Sequence, residues 1–232
     1  MRFLVSLLLL ISFFISFSQK NDVDNKYLED QFYLGLYYST LTSSPEDFNQ
    51  NKFSSTLNFG FIRDFPFNEQ RNFGVGVGVG LSLSSSNSNL KLSDLNSSVS
   101  GEIVNGEDST KNKWNTTKIE FPFEVRWRTS TPTSYKFWRV YFGVKTSYLL
   151  KSKYKYESLN SNYTLENLPF RKTQSGITVN AGNNTWNLGL YMGLNPIFNK
   201  EFGQNNPNLK DLKEFKLGLV FYILWFYTYK NY

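Results

Sequence analysis

The run "FGVGVGVGLSLS", Phe73 to Ser84, constrains the fold more than any other stretch. Val75, Val77, Val79, Leu81 and Leu83 recur at every second residue, and Gly74, Gly76, Gly78, Gly80, Ser82 and Ser84 fill the places between them. A period of two puts these sets on opposite faces of an extended strand. A dinucleotide-binding glycine loop would need a tight turn and a helix start behind it. The residues that follow, "SSNSNLKLSDLNSSVSGE", carry no helical pattern. The stretch is therefore a strand with one apolar face and one almost empty face.

The same alternation recurs along the chain. In "KIEFPFEVRWR", Ile119, Phe121, Phe123, Val125 and Trp127 share one face, while Lys118, Glu120, Glu124, Arg126 and Arg128 share the other. "FWRVYFGVKTSYL" sets Trp138, Val140, Phe142 and Val144 against Arg139, Tyr141, Gly143, Lys145 and Ser147. "WNLGLYMGLN" and "FKLGLVFYILWFY" behave alike; "QFYLGLYYST", "STLNFGF" and "SGITVNA" are less regular. Strands are expected at 31–41, 51–63, 72–84, 115–128, 136–151, 172–182, 185–197 and 214–227. The connections alternate in length, from the polar run 85–113 to the short "GNN". Long loops outside and tight turns in the periplasm are the layout of a transmembrane β-barrel.

An eight-stranded barrel has an interior just wide enough to be filled by side chains. Large rings cannot line all of it, whereas glycine, serine and a few long polar chains can. The apolar faces are thus expected to point outward, where lipid requires them and water would make them an aggregation hazard. The expected fold class is all-β, an eight-stranded antiparallel transmembrane β-barrel with a polar, side-chain-filled lumen. With both termini periplasmic, Trp127, Trp138, Trp186 and Trp225 fall at the periplasmic strand ends on the outward face. They are expected to form a lipid-interface girdle, with Trp114 near the opposite rim.

Inward charges need partners, because an ion in a narrow lumen persists only when paired. Lys118, Glu120, Glu124, Arg126, Arg139 and Lys145 are expected to form a lumenal ion-pair network that closes the barrel. With Trp127 opposite Trp138, Glu120 would face Lys145 and Glu124 would lie diagonal to Arg139. A competing view makes Glu120 and Glu124 an acid–base pair. Two carboxylates beside several Arg and Lys are more often structural salt bridges. Pro122 should force a local bulge, since proline removes a ladder bond.

Composition narrows the chemistry. The 232 residues include no cysteine and no histidine. Disulfides, thiol nucleophiles, imidazole metal ligands and Ser-His-Asp catalysis are excluded. No catalytic residue, metal site, cofactor or small-molecule substrate is expected. The net charge of +6 is scattered rather than gathered into a basic block, which argues against nucleic acid. At the start, "MRFLVSLLLLISFFISFSQK" has Arg2, an apolar core from Phe3 to Phe17, and small residues at Ser16 and Ser18. It reads as a secretory signal peptide over 1–18, leaving the barrel at 19–232. The expected location is the outer membrane of a diderm bacterium, with outer-membrane lipid as surroundings.

At "KIEFPFEVRWR" the chain also resembles a known group. Ile119-Glu120-Phe121-Pro122, with the alternating run that ends in basic residues, is similar to the small outer-membrane barrels of the porin-like PorT family. "QFYLGLYYS", "WRVYFGVKTSYL" and "WNLGLYMGLNPIF" agree, so the resemblance covers essentially the whole chain behind the leader. It implies an eight-stranded outer-membrane barrel and an accessory role in type IX protein secretion, with other outer-membrane or periplasmic secretion subunits as partners. It transfers no catalytic residues. The alternative is a stand-alone surface barrel of adhesion or defence type that binds through its loops, 85–113 and 152–171 among them.

Overall fold

The computed structural model describes residues 30–50, 52–95, 98–104, 109–129 and 137–225, and the leader at 1–18 lies outside them. In chain order the strands are β1 (Asp30–Thr42), β2 (Ser55–Pro66), β3 (Phe73–Asn87), β4 (Leu90–Leu95), β5 (Ser98–Ile103), β6 (Ser109–Arg128), β7 (Trp138–Ser158), β8 (Asn162–Glu166), β9 (Thr173–Asn183), β10 (Trp186–Gly193) and β11 (Lys213–Trp225). A short helix, α1 (Lys200–Asn205), and a 3-10 turn at Pro207–Leu209 sit between β10 and β11. No helix among the described residues is long and apolar enough to cross a membrane.

Eight of the strands close into an antiparallel barrel in the order β6-β3-β2-β1-β11-β10-β9-β7, with β7 returning to β6. Closure leaves no unpaired edge to face hydrocarbon. β8 pairs only with the far end of β7, and β4 with β5 forms a separate hairpin. One end of the barrel carries tight turns, the two described throughout being 67–72 and Asn184–Thr185. Asn184 and Arg71 adopt left-handed backbone there, with φ of 56° and 55°; asparagine tolerates that region better than most residues. The other end carries the long connections 43–54, 88–108, 159–172 and 194–212. These are called the turn end and the capped end below.

Alternation survives in the burial of every long strand. β7 runs exposed-buried from Trp138 to Leu150, and β1 does the same from Phe32 to Tyr38. The outward belt includes Phe32, Leu34, Leu36, Phe121, Phe123, Phe142 and Leu188, all exposed. Inward glycines on β3 make room for long neighbours rather than leaving a channel. A Cβ on Gly80 would strike the Tyr33 hydroxyl, and one on Gly76 would strike the Arg126 guanidinium.

The register departs from expectation. Trp127 lies opposite Val140, and Trp138 lies opposite Asn183 on β9, so the β6–β7 pairing is slid by two residues. A slide of two keeps every side chain on its face. Pro122 produces no bulge. The β3–β6 ladder omits Gly78–Pro122 and Val79–Phe121, then resumes in the same register. The β6–β7 pairing shifts instead at two other places, between Ser109 and Lys111 and between Thr117 and Lys118. The second shift is the one nearer Pro122. There Leu150 becomes the extra residue, and the outward parity of β7 changes from even to odd numbers beyond it. β6 and β7 also run well past the expected ends, and the polar run 85–113 is largely strand.

Candidate functional site

Along the lumen, strand parity delivers the ionic residues inward. Lys118, Glu120, Glu124, Arg126, Arg139 and Lys145 are all buried, none more than 7% exposed. Lys145 reaches Glu120 at 3.2 Å although its backbone faces Pro122 and Glu120 faces Ser147. Glu124 takes Arg126 at 3.2 Å and accepts from Asn180 at 3.3 Å; its partner is not Arg139. Lys118 donates to Gln174 at 2.6 Å and pairs with Glu214 at 2.7 Å.

Asp64, which was not singled out in the sequence, is the hub at the turn end. Its carboxylate accepts from Arg128 at 2.8 and 2.6 Å and from Arg126 at 3.3 Å. Its backbone N–H donates to Asp30 at 2.9 Å. At the other end, Glu214 binds Lys216 at 3.1 Å as well as Lys118. Both acids were readable by parity. In "NFGFIRDFPF", Asn58, Ile62 and Asp64 share the inward face, and Glu214 precedes the alternation of "FKLGL" by one step.

Among the described residues the lumen thus holds six cations, namely Lys118, Arg126, Arg128, Arg139, Lys145 and Lys216, against five carboxylates, Asp30, Asp64, Glu120, Glu124 and Glu214. Arg139 is the one without a carboxylate among them. It lies against the rings of Phe137, Tyr222 and Tyr141 at 4.5, 5.4 and 6.0 Å. Ring quadrupoles attract a cation most where water is excluded. The tyrosines Tyr33, Tyr37, Tyr141 and Tyr222, with Ile62 and Val220, pack the remaining space.

Above the lumen, at the capped end, lies a second core that the sequence did not announce. Leu90 and Leu92 of the β4–β5 hairpin, Trp114 of β6, Leu149, Tyr154 and Tyr156 of β7, and Phe170, Phe198, Phe202, Leu209 and Leu212 from the connections form one apolar cluster. Trp114 is 3% exposed inside it rather than at a lipid rim. Asn199 caps α1 by accepting from the Phe202 N–H at 2.8 Å, which aims Phe202 into the cluster. Tyr163 donates to the Leu92 carbonyl at 2.8 Å, and Tyr154 donates to Asn112 at 2.9 Å. Burial raises both hydroxyls above the ordinary tyrosine range. Outside, Lys155 and then Lys111 hold the Glu157 carboxyl below the usual carboxylate range.

The expected girdle residues Trp127, Trp138 and Trp186 are outward and exposed at the turn end, beside Phe65, Phe67 and Phe73. The side chain of Trp225 lies outside the described residues. No group of metal-ligating side chains occurs among the described residues.

A family model described as outer membrane protein beta-barrel domain matches residues 17–199. No curated protein matches the chain. Two solved structures of Ail, the attachment invasion locus protein of Yersinia pestis, each align with 84% of this chain and 99% of their own. One, in complex with the heparin analogue sucrose octasulfate, has 12% identity and a TM-score of 0.38; the other has 13% and 0.34. That likeness bears on neither partner nor ligand. The matches reach the level of an outer-membrane barrel, and none reaches the PorT family or type IX secretion.

Proposed function

Since this chain belongs to the outer-membrane protein beta-barrel domain family, we propose that it is a stand-alone, non-enzymatic surface barrel of adhesion or defence type that binds through its capped end. The observation that carries this is the folded cap. An apolar core that joins the β4–β5 hairpin, β7, α1 and the 159–172 connection holds the long connections in one shape above the membrane. A barrel needs no such platform in order to sit in lipid, and an ordered set of loops on a rigid scaffold is where binding surfaces are commonly placed. The filled lumen argues against passage of solute or polypeptide. In this reading the capped end faces outward and the termini are periplasmic.

An accessory role in type IX secretion would use the same outer surfaces, so the two are separated genetically. A deletion strain is expected to secrete its usual cargo at the normal level, and the protein is expected to purify from mild detergent without secretion subunits. Loss of cargo export, together with stoichiometric co-purification of those subunits, would replace the surface reading with the secretion one.

A further inference from the structure

On the wall formed by β6, β7 and β8, the outward side chains change character just above the apolar belt. Below the shift at Thr117/Lys118 they are Phe121, Tyr148 and Leu150; above it they are Lys111, Lys113, Lys151, Lys153 and Lys155. Lys113 stands directly opposite Lys155 across the ladder. Like charges so placed destabilise a sheet. Nearby carboxylates answer only part of this. Glu157 pairs with Lys111 and Lys155, and Glu166 pairs with Lys153 at 3.5 Å. Lys113 and Lys151 have no carboxylate partner among the described residues. On the opposite side of the barrel, the outward positions at the same end are Thr40, Thr42, Ser55 and Phe215, with Lys213 the single cation among them.

Height decides what such a patch can meet. Lys151 follows the exposed Leu150 directly. At about 3.3 Å per residue and a tilt near 45°, Lys151 and Lys153 stand about 2–7 Å above the hydrocarbon edge, within the headgroup layer. Lys113 and Lys155 stand roughly 12 Å up, and their flexible stems can fold back toward that layer. We propose that this lysine wall is a docking surface for the phosphates of anionic lipid headgroups in the leaflet at the capped end. Lys113 and Lys151 supply charges with no carboxylate partner among the described residues, and Lys153 and Lys155 exchange the exposed Glu166 and the half-buried Glu157 for phosphate.

The test uses the full chain in mixed micelles containing equimolar phosphatidylglycerol and phosphatidylcholine, with lipid adducts counted by native mass spectrometry. The wild type is expected to retain phosphatidylglycerol preferentially. K113Q/K151Q is expected to lose roughly tenfold of that preference, with an unfolding midpoint no lower than the wild type's, because both side chains point outward and loss of the Lys113 charge relieves the repulsion from Lys155. The control K200Q/K210Q removes the same charge from exposed positions in the β10–β11 connection, which neither belongs to nor adjoins β6 or β7 in the strand order, and should keep the preference. Equal retention of both lipids by the wild type, no change in K113Q/K151Q, or an equal loss in the control would each overturn the proposal. Displacement of the lipid by millimolar inorganic phosphate would do the same, by showing a site for a free anion rather than a headgroup.

Discussion

At the scale of single residues, Asp64 shows how few side chains hold the lumen together. One carboxylate satisfies two guanidiniums, and Asp64, Arg126 and Arg128 all have side chains with no exposure. Removing one partner from a buried ionic cluster costs more than the cluster ever contributed, because the opposite charge is left stranded. Asp64→Ala should therefore lower stability by about 3–5 kcal/mol, read as a shift in urea unfolding in micelles. Asp64→Asn keeps an acceptor for Arg128 and should lose less. Equal, small effects from both would mean that water reaches the site. The inward glycines belong to the same scale. Gly76 and Gly80 are positions where Arg126 and Tyr33 lie across the barrel wall, so the empty face of β3 is the complement of those long side chains.

At the scale of elements, the β4–β5 hairpin is separable from the barrel. It pairs with no barrel strand and enters the cap through Leu90, Leu92, Val99 and Ile103. Replacing residues 88–104 with a short Gly-Ser turn should leave the barrel heat-modifiable on gels, since the wall ladder is untouched. It should expose Trp114 to water and shift its fluorescence to the red. It should not create a pore, because the ionic layer beneath is complete without the hairpin; planar-bilayer recordings of the variant are expected to stay closed. Open steps in that variant would show that the cap, not the lumen, is the seal. β6 tolerates Pro122 without a bulge because the ladder to β7 continues through Pro122–Lys145 while the ladder to β3 skips two pairs. A closed barrel gives each strand two partners, so a gap on one side is bridged on the other.

At the scale of the whole molecule, orientation is the open variable, and the chain suits a direct measurement. It contains no cysteine, so an introduced thiol is the only one. Leu159, 93% exposed in the connection between β7 and β8, becomes a reporter for the capped end as Leu159→Cys. Intact cells should label it with a membrane-impermeant maleimide. Thr185→Cys at the turn end should react only after the outer membrane is permeabilised. The reverse pattern would invert the barrel and remove the surface reading with it.

Period-two alternation was sufficient to read the eight barrel strands, the outward apolar belt and the inward ionic faces, because a strand's two faces meet solvents of opposite kind and each residue is sorted by parity alone. Partner identity was legible only in part: the expected Glu120–Lys145 pair forms, whereas Glu124 takes Arg126 in place of Arg139. The β6–β7 pairing slid by two residues with no change of face, so Glu120 and Glu124 found Lys145 and Arg126 by side-chain reach rather than by the expected register. The cap was hidden for a related reason. Leu90 and Leu92, Trp114, and Phe198 and Phe202 come from three separate regions of the chain with no common period. Only closure of the barrel beneath them brings those places over one mouth, where burying them together becomes favourable.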